Sequence, residues 1–258
     1  MQNPIRPAMY ALMWIVGSLA ATGFAQEPNA PRFVNVPPAR AEQAPKFSFI
    51  LFWKENDPNT QRLAAVLKAS VTKRAERAEW TDVNVNDSTK RDVVERYQVS
   101  RMPMPTVLCV APNGAITGAF VRKLSDEAVE GAIVSPAAAD IVKALQDKKI
   151  VVVHVKQDAR SPLPVAAAEL MADPAFQART TTVAFVASDP GESRLLTDME
   201  INAADVNGSL AVVLAPPGVV VGKFAATATK DQIAAALHAA GKCCNDANCK
   251  HNQQGQQP

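Results

Sequence analysis

The chain has 258 residues, 48% of them hydrophobic, which is enough for one large or two ordinary domains with packed cores and excludes wholesale disorder. Its 27 Lys and Arg stand against 25 Asp and Glu, a net charge of +2. That balance gives no electrostatic case for a nucleic-acid partner, which calls for a basic face.

The N-terminus reads as a leader. Arg6 precedes an uncharged, largely apolar run from Ala8 to Ala21, and Gly23-Phe24-Ala25 ends in a small-x-small pattern. Residues 1–25 are therefore expected to be a secretory signal peptide, cut after Ala25. The apolar run is shorter than the ~20 residues of a usual span, so a membrane is a partner only if the segment stays uncleaved. Export to a periplasmic or extracellular compartment places the chain where disulfides persist. Residues 26–45 carry Pro28, Pro31, Pro37, Pro38 and Pro45, a spacing that favours an extended, semi-rigid linker.

A first unit is expected over residues 46–136. Phe47 to Phe52 is a near-continuous apolar run, as for a strand covered on both faces. Leu63, Val66, Leu67 and Val71 recur at helical spacing. A short strand is expected at Asp82 to Val85, and a helix from Thr89 to Tyr97 with Val93, Val94 and Tyr97 on one face. Thr106 to Val110 and Ala115 to Phe120 form a hairpin through Pro112-Asn113-Gly114, because Asn-Gly accepts the positive φ of a tight turn. Glu127 to Val134 closes the unit as a helix opened by Ser125, whose oxygen suits the free amides of a first turn.

A second unit is expected over residues 148–241. Ala215-Pro-Pro-Gly-Val-Val-Val-Gly-Lys-Phe224 repeats the pattern of Ala111-Pro-Asn-Gly-Ala-Ile-Thr-Gly-Ala-Phe120, and each follows an apolar strand. Ile150 to Lys156 matches Phe47 to Trp53 at nearly the same offset, which argues for tandem copies of one unit. A helix from Pro164 to Met171, a strand from Thr181 to Val186 and a last helix opened by Thr229 and ended by Gly241 complete it. The tail, residues 242–258, is polar and Gln-rich.

The order of elements, the Phe52-Trp53 approach, Val83-Asn-Val-Asn-Asp87, Tyr97-x-Val99 and Met104-Pro105-Thr106 before an apolar strand together resemble the thioredoxin family. The resemblance covers roughly Lys46 to Pro136 well and the second unit only in outline. It implies an α/β fold of two tandem thioredoxin-like domains, each a central mixed sheet flanked by helices. It also implies that Asp57 and Thr60 stand where the family carries the two cysteines of its C-x-x-C pair. The thiolate of such a pair is favoured by the positive end of a helix. Asp57-Pro58 keeps that helix start, since Asp is a strong N-cap and Pro suits the first helical position. It cannot attack a disulfide, so no catalytic residue is expected in this unit. Pro105 matches the family's cis-proline, beside which an extended peptide pairs. By resemblance Trp53, Met104 and Pro105 form a peptide-binding groove. The second unit has Ser209 at the place of Pro105.

Four cysteines remain to be placed. Cys109 lies within an apolar strand and reads as a buried small hydrophobe. Cys243, Cys244 and Cys249 cluster in the tail with His251. In an oxidising compartment a disulfide from Cys249 to Cys243 or Cys244 is the simplest reading, and it leaves one odd thiol. Three soft ligands and an imidazole suit Zn²⁺ or Cu(I) as the alternative, although adjacent cysteines fit one tetrahedral site poorly and no C-x-x-C-H haem motif is present. His154, in an apolar strand, and His238, on the last helix, read as structural. The function expected is that of an exported, redox-inactive thioredoxin-like protein that binds protein or peptide or acts as a scaffold, without a cofactor. The alternative is a thiol-disulfide oxidoreductase or a metal-binding protein that works through the tail cysteines.

Overall fold

The computed structural model describes residues 45–242. The expectations for the leader, for the linker up to residue 44 and for Cys243, Cys244, Cys249 and His251 lie outside the described residues. In chain order the elements are β1 (Phe47–Trp53), α1 (Pro58–Thr72), β2 (Ala78–Asn84), α2 (Arg91–Arg96), β3 (Thr106–Val110), β4 (Ile116–Val121), α3 (Asp126–Ala132), α4 (Pro136–Gln146), β5 (Ile150–Lys156), α5 (Val165–Ala172), α6 (Pro174–Gln177), β6 (Thr180–Val186), α7 (Ser193–Asp198), β7 (Ser209–Ala215), β8 (Val219–Ala225) and α8 (Lys230–Lys242).

The strands form two four-stranded mixed sheets, in the orders β2-β1-β3-β4 and β6-β5-β7-β8. In each, the first two strands run parallel and the remaining pairs antiparallel. This is the α/β arrangement that the sequence predicts. The sheets also agree in detail. The closing hairpin of each is irregular at the matching place, between Cys109 and Val110 and between Val213 and Leu214. A side-chain carbon at Gly118 would lie 2.7 Å from the Phe120 ring, and one at Gly222 would lie 2.7 Å from the Phe224 ring. Each hairpin therefore has glycine where a phenylalanine two residues on folds back, and a side chain there would have to displace the ring.

Alternation along the strands assigns the cores. Phe49, Leu51, Val107 and Cys109 point to one face of the first sheet and bury Leu63, Leu67 and Val71 of α1 and Val129 and Ala132 of α3. Ile50, Phe52, Leu108 and Val110 point to the other face, against Val99 and the partly buried Val93, Val94 and Tyr97. Phe52 meets Tyr97 edge-on, with ring centroids 6.1 Å apart. Fully burying side chains such as Phe49 and Leu67 stabilises the fold by about 1.5–3 kcal/mol each. In the second sheet, Ile150, Val152, Ala211 and Val213 cover α5 and Ile233 of α8, while Val151, Val153, Val155, Val212 and Leu214 cover α4 and α7.

Helix starts follow their caps. Ser125 accepts from the Ala128 N–H at the start of α3, and Ser135 from the Ala138 N–H at the start of α4. Thr229 and Gln232 exchange two hydrogen bonds ahead of α8, a reciprocal capping arrangement. Three elements differ from expectation. β2 begins at Ala78 rather than Asp82, because Glu79 and Asp82 lie on an edge strand and interrupt its apolar pattern. α8 continues through Gly241 to Lys242, so that glycine does not end the helix.

The third difference is α4, which lies between the two expected units. Ala137, Ile141 and Ala144 join the core of the second sheet, while Ala139 and the partly buried Val142 pack on Ala111 and Ala115 of the first. The helix is thus apolar on two sides. The Glu192 carboxylate, 5% exposed, holds its start by accepting from the Ala137 N–H at 3.2 Å and from the Ser135 hydroxyl.

Candidate functional site

The stretch that follows β1 folds as its residue types require. Asp57 is extended, with φ −83° and ψ 172°, and caps α1, while Pro58 occupies the first turn. Asp57 Oδ1 accepts from the Thr60 N–H at 2.8 Å. The hydrogen bond from the Thr60 amide chiefly holds the Asp57 carboxyl below its ordinary range. Thr60 is buried, and its hydroxyl donates to the Glu55 carbonyl at 2.9 Å. The two positions that the resemblance matches to thiols thus carry a charged cap and a buried hydroxyl, both committed to holding the turn.

Trp53 ends β1 half-buried, and its Nε1 donates to Asp82 Oδ2 at 3.0 Å across the parallel pair. The last β1–β3 pair is Phe52 with Thr106, so the next residues along the two chains are Trp53 and Pro105. The second sheet carries this register one step further and pairs Lys156 with Ser209 at the corresponding place. The Met104–Pro105 bond is cis, and Pro105 is buried with its carbonyl accepting from the Arg122 N–H at 3.0 Å. Met104 is partly buried and packs on the Ile50, Phe52 and Val83 cluster, whereas Trp53 packs on the opposite cluster with α1. The register therefore sets Trp53 beside Pro105, while Met104 turns to the other face of the sheet.

The sequence does not single out the concave surface beside this turn. A groove of about 570 Å³ is lined by Asn59, Arg62, Leu63 and Val66 of α1 and by Arg122, Lys123, Leu124, Ser125 and Ala128. Trp53, Met104 and Pro105 do not line it. Its link to the Pro105 loop is Arg122, which has φ +60° and donates its amide to Pro105. Three cations border this groove. The available signal was Arg122-Lys123 directly after the hairpin, a pair that reads equally well as a solvated strand end.

Thiol chemistry within the described residues is closed off. Cys109 is fully buried, its sulfur 3.3 Å from the Thr117 hydroxyl and 3.6 Å from the Ala132 carbonyl. Burial pushes its thiol up to about 12, so it is neither nucleophile nor ligand at neutral pH. His154 is 6% exposed, and its Nε2 has no hydrogen-bond partner among the described residues. Burial and then the nearby Lys156 charge lower its pKa, against a hydrogen bond to the Pro162 backbone. His238 is exposed on α8. Among the described residues no group of three or more His, Cys, Asp or Glu side chains is placed to hold a metal ion, and no helix is long and apolar enough to cross a membrane.

No protein-family model matches the chain, and no curated protein does. Among solved structures, a malarial protein is similar at 10% identity and a TM-score of 0.29, over 34% of this chain and 93% of its own. The germline-specific thioredoxin Deadhead (Thioredoxin-1) of Drosophila melanogaster is similar at 16% identity and a TM-score of 0.28, over 33% of this chain and 76% of its own.

Proposed function

We propose that the chain is an exported, redox-inactive thioredoxin-like protein whose first unit binds protein or peptide in extended form, with the second unit a diverged copy that serves as scaffold. The observation that carries this reading is the turn from Trp53 to Thr60. Asp57 and Pro58 keep the helix start, and Trp53 lies next to Pro105, so the frame of a peptide site stands where the reactive thiols do not. The matching strand orders, hairpin irregularities and Gly-x-Phe contacts of the two sheets support descent from one unit. The buried, raised Cys109 thiol supports redox inactivity of the body of the protein.

The test is selection of extended peptides from a displayed library on the exported form, beginning at Gln26, followed by affinity measurement with Trp53→Ala. Loss of at least about tenfold in affinity, roughly 1.4 kcal/mol, is the expected result. Peptides that bind this variant as tightly as the parent would overturn the assignment of the site. Insulin-disulfide reduction that vanishes in the triple variant Cys243→Ser, Cys244→Ser, Cys249→Ser would favour the oxidoreductase alternative instead.

A further inference from the structure

The two sheets have four outer edges, and three are guarded. Unpaired edges invite strand pairing unless charge, proline, a bulge or a covering group blocks them. β2 carries Glu79 and Asp82, and β8 carries Lys223. On β4, the Gln146 side chain occupies both backbone groups of Ile116. Among the described residues, β6 has none of these devices. Its seven residues, Thr-Thr-Thr-Val-Ala-Phe-Val, hold no charge and no proline, and its register with β5 is unbroken.

The hydrogen bonds at its two ends show which backbone groups are free. The Arg179 carbonyl accepts from the Ile150 N–H, and the Ala187 N–H donates to the Lys156 carbonyl, so odd-numbered residues pair with β5. By alternation Thr180, Thr182, Ala184 and Val186 turn their amides outward. A groove of about 780 Å³ runs along this edge from Thr181 to Val186, with α4 as one wall.

The exposed charges without an ion-pair partner among the described residues are polarised along the edge, although the partly buried Lys156, paired with Val186, also lines the groove at the acidic end, and Asp147, held by Lys143, lines it near Lys149. Lys149 and Arg179 lie at the Thr180 end; both are exposed, and neither has an acidic partner among the described residues. Asp189 and Glu192 lie at the Val186 end, and Asp189 is exposed with no cationic partner among the described residues. An antiparallel copy of the same strand reverses this polarity and brings the positive end of one molecule to the negative end of the other. We propose that β6 pairs antiparallel with β6 of a second copy of this chain, centred on Val183, to make one continuous eight-stranded sheet. Thr182 then faces Ala184 of the second copy, and Thr180 faces Val186. The interface is self-complementary, as a two-fold dimer requires. This surface is on the second sheet, so the proposal does not rest on the peptide site of the first.

Sedimentation equilibrium of the exported form in reductant, which removes any tail-disulfide dimer, tests it. A dimer dissociating in the range of about 1–100 μM is expected. Ala184→Pro removes one outward amide without touching the β5 ladder, and it should give a monomer with an unchanged circular dichroism spectrum. Lys149→Glu breaks no ion pair among the described residues and should weaken the dimer about tenfold, with a matching weakening of the parent in high salt. If Ala184→Pro fails to fold, Lys149→Glu alone decides. A monomer across the whole range, a dimer lost on reduction, or a dimer that folded Ala184→Pro and Lys149→Glu both leave intact would overturn the proposal.

Discussion

Gln146 pairs with Ile116 as a strand would. Its Nε2 donates to the Ile116 carbonyl at 2.8 Å, and its Oε1 accepts from the Ile116 N–H at 3.0 Å. A side chain from the end of α4 thus satisfies the outer edge of the first sheet. Removing it with Gln146→Ala should cost about 1 kcal/mol, since two hydrogen bonds are lost at a partly solvated place. Urea unfolding measures that loss. Amide exchange gives the sharper reading: the Ile116 N–H should exchange faster while the inner amides of β3 keep their protection. Equal exchange at Ile116 in both proteins would show that the amide pair contributes nothing.

The turn at Asp57 can be given thiol chemistry. In a chain whose tail cysteines are serine, Asp57→Cys with Thr60→Cys places two thiols at the start of α1. The first should titrate well below the ordinary value of about 8.5, because the helix start already holds the Asp57 carboxyl low. Insulin reduction should appear in this variant and be absent from its parent. Thiols that titrate normally and stay inert would overturn the match of Asp57 and Thr60 to a cysteine pair.

Arg74 ties the end of α1 to α3. Its guanidinium bonds to both oxygens of Asp126, at 2.9 and 3.0 Å, and to Glu130. Arg74 chiefly, then Ser70, holds the Asp126 carboxyl far below its usual range, and Arg74 and then Arg77 lower that of Glu130. The unfolded chain therefore binds these protons first, and stability is lost as pH falls below about 4.5 through the depressed folded values. Arg74→Met should lower stability only modestly at neutral pH, because both carboxylates are well exposed and screened. The gap between variant and parent should narrow below about pH 4. A gap constant with pH would assign the loss to packing alone.

His154 makes an opposite use of its surroundings. Leu51 stands at the matching place in β1, within the core of the first sheet. A buried imidazole with its pKa lowered is protonated first in the unfolded chain, so stability falls as pH drops below about 6.5. His154→Leu should remove that dependence below about pH 6.5 and leave the fold at least as stable at neutral pH. Thermal melts across this range suffice, and parallel curves for the two proteins would rule the residue out as the acid-sensitive group.

The sheets were legible where burial is two-sided. Phe47 to Phe52 and Ile150 to Val155 are apolar because helices cover both faces, and a continuous run follows directly. Asp57-Pro58 and Ser125 marked their helices through local chemistry that needs no tertiary context. β2 was shortened because half of an edge strand faces water, and Glu79 and Asp82 look like loop. α4 carried a cap and a proline at Ser135-Pro136, yet its alanine-rich body has no single apolar stripe, since it packs against both sheets. In the site, Trp53 and Pro105 could be paired from the family pattern. The outcome for Met104 could not, because which face a loop residue covers depends on the packing of α2.

Cys109 has one more consequence. A thiol held at about 12 and sealed by Thr117 and Ala132 is silent to alkylating reagents while the first sheet is closed. It becomes reactive only in molecules whose β3 has parted from α3. The rate at which it acquires a label, followed in a chain without tail cysteines, is thus a clock for the opening of that half of the protein, installed at its centre and read without altering a single residue around it.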